Sequence, residues 1–350
     1  MAYSTITKPS LYFNTKLYTG NGTDDHAITG VGFQPDWVWL KNRSTTNSHY
    51  AQDVVRGATK NLKPDATDAE ETRTGSLKSF DSDGFTLGTE TAINGNGNSL
   101  VSWNWKANGQ GSANTDGSIN TTYTSVNATA GFSISKYTGT GANATVGHGL
   151  GAVPKWIIVK RLDSGTTNWQ VYHSSMGAEK YIQLNTTSGQ NDSDVLWNDT
   201  EPTNQVFSLG NYSHINNSGS PHIAYCFAEK TGYSKFGSYT GNGNADGAFI
   251  YTGFKPAWFL QKRIDSTNDW HMHDNKRDTI NPLTRFLMAN STNSESNDTS
   301  KDLDFLSNGI KLTTNHASHN ASGGTYIYMA FAEEPLVVNV GANGIPATAR

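Results

Sequence analysis

Residues 137–156 read YTGTGANATVGHGLGAVPKW, and the reading of this stretch decides the fold. Taken alone, its glycines suggest a phosphate cradle. Its two ends recur, however: Tyr-Thr-Gly-Asn-Gly begins at Tyr18 and again at Tyr239, and Pro-x-Trp closes at Trp37, Trp156 and Trp258. Tyr137 follows Tyr18 by 119 positions and Tyr239 follows Tyr137 by 102; the three Pro-x-Trp tryptophans keep the same two offsets. Each then opens an apolar run ending in lysine: WVWLK, WIIVK and WFLQK. A later anchor repeats as SLVSWNWKA, PHIAYCFAE and TYIYMAFAE, preceded each time by an Asn/Gly turn. A unit of about a hundred residues written three times is an internal triplication, and a unit of that size can carry its own core.

The runs are short, rich in β-branched and aromatic residues, and fenced by Gly, Asn and Pro, which is the pattern of strands. Trp103 and Trp105 share one face of their strand while Asn104 takes the other, where the later copies carry Cys226 and Ala330. WVWLK and its partners are apolar on both parities, so both faces should be covered. These features predict an all-β protein of three tandem antiparallel β-sandwich modules, jelly-roll or concanavalin-like in kind. The expected boundaries are an N-terminal arm (1–11), module one (12–109), a linker (110–130), module two (131–232), module three (233–336) and a C-terminal arm (337–350). The linker is rich in Gly, Asn and Thr, whereas almost no slack separates modules two and three. The expectation is therefore of beads, with the last two rigidly apposed and the first hinged or set apart. DATDAEETR from Asp65 reads as at best a short surface helix. The arms are candidates for docking on a neighbour.

The chain has 350 residues, 26 basic and 30 acidic, and a formal net charge of −4. It has no basic footprint for nucleic acid and no apolar stretch of membrane-spanning length. The start lacks the pattern of a secretory leader, and the single Cys226 excludes an intrachain disulfide. Synthesis in a cytoplasm is expected, with work outside the cell open to a protein carried on a virus particle.

Each chemical motif has a stronger structural reading. A phosphate loop needs a helix after its glycines, and here a further strand follows, so Tyr-Thr-Gly-x-Gly reads as a turn requiring positive φ. Asp81 and Asp83 before Gly84 resemble part of a calcium loop but lack the late bidentate carboxylate. His271 and His273 alternate on a strand beside Asp274, yet the second copy keeps only His173. These histidines, and His316 and His319 in a loop, read as exposed or hydrogen-bonded side chains rather than metal ligands. Cys226 reads as a small core residue. Glu201, Glu333 and Glu334 show no paired-carboxylate pattern, and Glu229 and Glu333 read as interface or cap residues. The Asn-x-Ser/Thr sequences at Asn143 and Asn185 are read as products of composition. No catalytic residue, cofactor site or metal site is assigned, and the chain is read as not an enzyme.

Several long phrases carry a resemblance. SVNATAGFSISKYTGTGANATVGHGLGAVPKWIIVKR, VLWNDTEPTNQVFSLG, HIAYCFAEKTGYSKFGSYTGNGNADGAFIYTGFKPAW and TYIYMAFAEEPL look like repeat modules of structural proteins from marine tailed bacteriophages. GFQPDWVWLKNRS, VRGATKNL and SFDSDGFTLG resemble the related phage modules called SPRY or concanavalin-like. The resemblance spans about Tyr12 to Leu336. It implies β-sandwich modules on a virion surface, in tail fibres, tailspikes or decorating proteins, and supplies no catalytic residues. Long fibres usually carry an N-terminal virion anchor and a trimeric stalk; here no heptad region is found. The implied function is a non-enzymatic virion structural protein, decorating the capsid or forming a compact tail appendage. It would assemble through contacts with other virion proteins and as a homo-oligomer. The alternative is a receptor-binding lectin gripping host glycans, with Trp169 and Trp270 as candidate stacking residues, although both read more readily as core residues at strand starts. A polysaccharide depolymerase is a third reading with no pattern in its favour.

Overall fold

The computed structural model describes residues 4–340 and 343–346. It is all-β: several antiparallel sheets, none of them closed, with helices of no more than four residues. The triplication is visible in strand order. In copy one the main sheet runs Phe13–Thr19, Ser99–Trp105, Trp37–Asn42, Tyr50–Asp53. Copy two repeats this as Phe132–Thr138, Pro221–Phe227, Trp156–Arg161, Gln170–His173, and copy three as Ser234–Thr240, Thr325–Pro335, Phe254–Arg263, Trp270–Asp274. Register is also repeated, with Trp37 opposite Trp105, Trp156 opposite Phe227 and Trp258 opposite Phe331.

A smaller sheet accompanies each main sheet: His26–Thr29 with Gly84–Leu87 and Leu77–Asp81, Ala144–Gly147 with Val206–Leu209, and Phe249–Tyr251 with Gly309–Leu312 and Leu303–Leu306. Each pair of sheets holds its own apolar cluster. Val38 and Leu40 meet Phe85 and Leu87, Ile157 and Val159 meet Phe207 and Leu209, and Phe259 meets Ile310 and Leu312. Cys226 and Ala330 lie in these private cores, which explains the small side chains on that parity.

The other parity corrects the picture of beads. Trp37, Trp39, Trp103 and Trp105 of copy one form a single buried cluster with Phe132, Trp156, Tyr225 and Phe227 of copy two and with Trp258, Leu260, Met329 and Phe331 of copy three. Trp37 stacks on Tyr225 with ring centroids 4.5 Å apart, and Trp258 packs edge-on against Trp105 at 5.7 Å. The copies therefore share a core, and the first copy is neither hinged nor set apart. Burial of rings this large in common is a strong apolar driving force for keeping all three together.

Other expectations change with it. The 110–130 segment is not a slack linker: Tyr123–Asn127 pairs with Phe132–Thr138 and Ile119 is buried. The stretch from Asp65 forms turns and the short strand Glu71–Thr72 rather than a helix. The N-terminal arm packs on its own chain, with Ile6 in the shared core and Pro9–Leu11 forming a 3-10 turn. Val337–Val340 pairs with Asn343–Pro346 as a hairpin. The remaining arm residues, 1–3, 341–342 and 347–350, lie outside the described residues.

Candidate functional site: the junctions between copies

The repeated phrase is a structural clamp. Gly22, Gly141 and Gly243 all adopt positive φ, between 66° and 74°, which only glycine takes without strain. A buried asparagine holds each turn. Asn216 accepts from the Thr140 N–H and donates to the carbonyls of Ala142 and Gly210, and Asn94 and Asn320 make the matching bonds in their copies. The tyrosines of the phrase, Tyr18, Tyr137 and Tyr239, donate to the carbonyls of Ile93, Ile215 and His319. Each turn leads into a strand, not a helix.

The conspicuous geometry lies instead between copies. Three kinds of bond each recur three times and close a circle. The ring N–H of Trp169 donates to the Lys63 carbonyl of copy one, that of Trp270 to the Gln183 carbonyl of copy two, and His49 Nε2 bonds the Met288 carbonyl of copy three, all at 3.0 Å. His49 Nδ1 accepts from the Trp39 indole at 2.8 Å, so Nε2 carries the proton. The backbone N–H groups of Glu70, Gln190 and Glu295 donate to the carbonyls of Leu162, Ile264 and Arg43 at 2.8–2.9 Å. The three run-closing lysines complete the set: Lys160 Nζ reaches Thr67 O, Lys262 Nζ reaches Thr187 O, and Lys41 Nζ reaches Thr292 O. These lysines are buried among carbonyls, and desolvation lowers their affinity for the proton, to about 7 for Lys160 and Lys262 and about 8 for Lys41.

Trp169 and Trp270 are thus wholly buried, and neither offers a ring face to a sugar. The indole N–H of each is committed to the junction and the backbone N–H of each is held by Asn185 or Asn290. Sequence reasoning missed this role, although the similar spacing from Pro-x-Trp, 13 positions to Trp169 and 12 to Trp270, was the signal available.

Charged pairs lie against the shared core. Asp53 and Arg56 are fully buried and joined, and Tyr225 of copy two donates to Asp53 at 2.7 Å. Asp274 and Arg277 repeat the pair, with the Trp103 indole as donor at 3.1 Å. Arg56 reaches Glu70 at 3.3 Å and Arg277 reaches Glu295 at 3.4 Å. The corresponding residues of copy two are His173, Met176 and Gln190, so the charges are missing there. At the junction of copies two and three that Gln190 helps to form, a cleft of about 370 Å3 is open, bordered by Met176, Lys180, Gln190, Ser238, Thr240 and Ile264.

The remaining predicted residues fall into structural roles. Asp83 accepts the N–H groups of Gly30 and Gly32, and Asp81 accepts from Ser79 and Thr86. Of the two expected states, exposed or hydrogen-bonded, His271, His273 and His319 take the second: all three are buried and hydrogen-bonded. His273 and His319 approach at 3.3 Å, and burial lowers the proton affinity of all three. Glu229 pairs with Lys155 and Lys235, and Glu201 accepts from Tyr172 and the Ala178 N–H. Among the described residues no group of three or more His, Cys, Asp or Glu is placed to hold a metal ion, and no helix is long and apolar enough to cross a membrane.

Residues 8–335 match the model of a family described as a domain of unknown function, DUF7483. No curated protein matches the chain. The chain belongs to the DUF7483 family, and the match spans all three copies as one unit.

Proposed function

We propose that this chain is a non-enzymatic structural protein of a tailed-bacteriophage virion surface. In this reading the three copies are sandwich modules of the jelly-roll or concanavalin-like kind. The protein decorates the capsid or forms a compact tail appendage, contacting other virion proteins and further copies of itself. The observation that carries the reading is the closed circle of junction bonds around one aromatic core. It makes three modules a single block without any disulfide, the Cys226 thiol being buried. A block of this kind suits a particle component that must persist outside a cell, where an opening hinge would invite proteolysis. The resemblance of its long phrases to phage repeat modules supplies the choice of particle.

Mass spectrometry and cryo-electron microscopy of gradient-purified particles test the proposal. The chain should co-purify in stoichiometric copy number and account for density on the particle exterior. Its absence from purified particles overturns the reading.

The glycan-binding alternative loses the two tryptophans on which it rested. Among the described residues, the large aromatic rings most open to solvent are Phe249 and Tyr251, 46% and 55% exposed on a strand of the small sheet of copy three. Copy one has Ala27 and Thr29 at the corresponding places. Adjacent same-face rings favour this second reading, because such rings stack on sugars. Glycan-array binding that disappears in Phe249→Ala/Tyr251→Ala would promote it over the first.

A further inference from the structure

The three junctions are built to one plan, so each serves as a control for the others. At the junction of copies one and two, Arg56 and Glu70 pair against the shared core. At that of copies three and one, Arg277 and Arg43 both reach Glu295. At that of copies two and three the equivalent side chains are Met176, Gln190 and Ile264, none of them charged. What remains is the cleft of about 370 Å3, within the range of about 300–1,000 Å3 typical of small-molecule sites.

We propose that this cleft is a binding site for a sugar acid, a pyranose bearing a carboxylate. Met176 and Ile264 are 9% and 7% exposed and give an apolar floor suited to the C–H face of a sugar ring. Ser238, Thr240 and Thr325 on copy three and Gln190 on copy two supply hydroxyl and amide groups around it, matching ring hydroxyls that both donate and accept. Lys180 is the one charged residue of the lining. Its cross-strand neighbour is Asp192, yet no ion pair joins the two among the described residues. The ammonium is thus free to meet a carboxylate at the mouth of the cleft, a charge-assisted bond that a neutral sugar cannot form. The equivalent Lys60 is committed to the Thr72 hydroxyl, and the equivalent Arg285 lies at 3.7 Å from Asp278. The site is distinct from the exposed Phe249 and Tyr251, which belong to the small sheet, whereas Ser238 and Thr240 lie on the main sheet. It does not depend on where the protein resides.

Saturation-transfer difference NMR and calorimetric titration of the full chain with glucuronate test the site, with glucose and acetate as comparison ligands. Glucuronate should bind with saturation of its ring protons and at least about tenfold more tightly than either comparison ligand, the worth of one charge-assisted bond. Lys180→Ala should abolish that preference over glucose, and Lys180→Arg should retain it. Asp192→Asn should strengthen binding and Gln190→Glu weaken it. Lys180 is partly exposed, so its variants are expected to fold, and near-ultraviolet circular dichroism identical to that of the parent verifies this. No saturation of glucuronate at millimolar concentration overturns the proposal. So does acetate binding as tightly as glucuronate, or Lys180→Ala leaving the preference intact.

Discussion

The indole N–H of Trp270 donates to the backbone carbonyl of Gln183, 87 positions earlier and in the preceding copy, at 3.0 Å. With Trp169 on Lys63 and His49 on Met288 it completes a circle in which each copy is held by the next. A circle has no weak end, so loosening one junction loosens the shared core beneath all three.

Unfolding is therefore expected to be a single transition. Calorimetry should give equal calorimetric and van't Hoff enthalpies, and Trp270→Ala should lower the one midpoint rather than split off a copy, at a cost of about 3–5 kcal/mol. Trp270→Phe keeps most of the packing but removes the shortest of the bonds to the Gln183 carbonyl, leaving the longer ones from Thr186, for about 0.5–1.5 kcal/mol. Three resolved transitions would restore the picture of independent beads.

The buried pair Asp53–Arg56 can be tested by transplantation. Asp53→Asn removes the closest counter-charge and leaves the buried Arg56 guanidinium only the longer Glu70 contact, a loss of about 3–5 kcal/mol. The triple change Asp53→His, Arg56→Met and Glu70→Gln installs the residues that copy two carries at His173, Met176 and Gln190. It should cost less than Asp53→Asn alone, because no charge is stranded. Chemical denaturation gives both values; a triple variant less stable than the single one contradicts the account.

Acid should weaken the whole block, and three of the responsible histidines cluster in copy three. His271, pushed down to about 4 by burial, faces His319 and His273, whose proton affinities are also lowered, with Arg277, Lys301 and His316 as charged or titratable neighbours. Unfolded histidine titrates near 6.5. Between pH 6.5 and 4 the unfolded chain therefore holds more protons than the folded one, and stability is lost as pH falls through that window. For His271 the loss approaches about 3 kcal/mol at pH 4. His319→Gln should flatten the slope of unfolding free energy against pH, and an unchanged slope would refute the assignment.

Mild alkali should act in the opposite sense. The unfolded chain keeps its lysines protonated to about pH 10, whereas folded Lys160 and Lys262 release theirs near 7 and Lys41 near 8. Stability contributed by these groups rises with pH from 7.5 to 9, by up to about 1.4 kcal/mol per pH unit for each. Above that, the Cys226 thiol, whose ionisation burial pushes upward, opposes the trend. Lys160→Met should reduce the slope in denaturation series at constant ionic strength; a parent chain with no larger slope than the variant would exclude the effect.

The sequence by itself determined the triplication, the strands and the turns, because these depend on near neighbours. Pro-x-Trp opening a run, glycine at a positive φ and alternating parity are all readable within a few residues. It also showed that Trp37, Val38, Trp39 and Leu40 must be covered on both sides. Only the tertiary structure decided by what. Val38 and Leu40 face their own small sheet, while Trp37 and Trp39 face the other two copies. Apolar periodicity records that a face is buried and carries no label for its partner, so a private core and a shared one look alike in sequence. The same limit hid Trp169 and Trp270, which read as rings at strand starts, and the three lysines, which read as strand-end bases. Their partners are backbone carbonyls of another copy, and a carbonyl has no signature in the sequence.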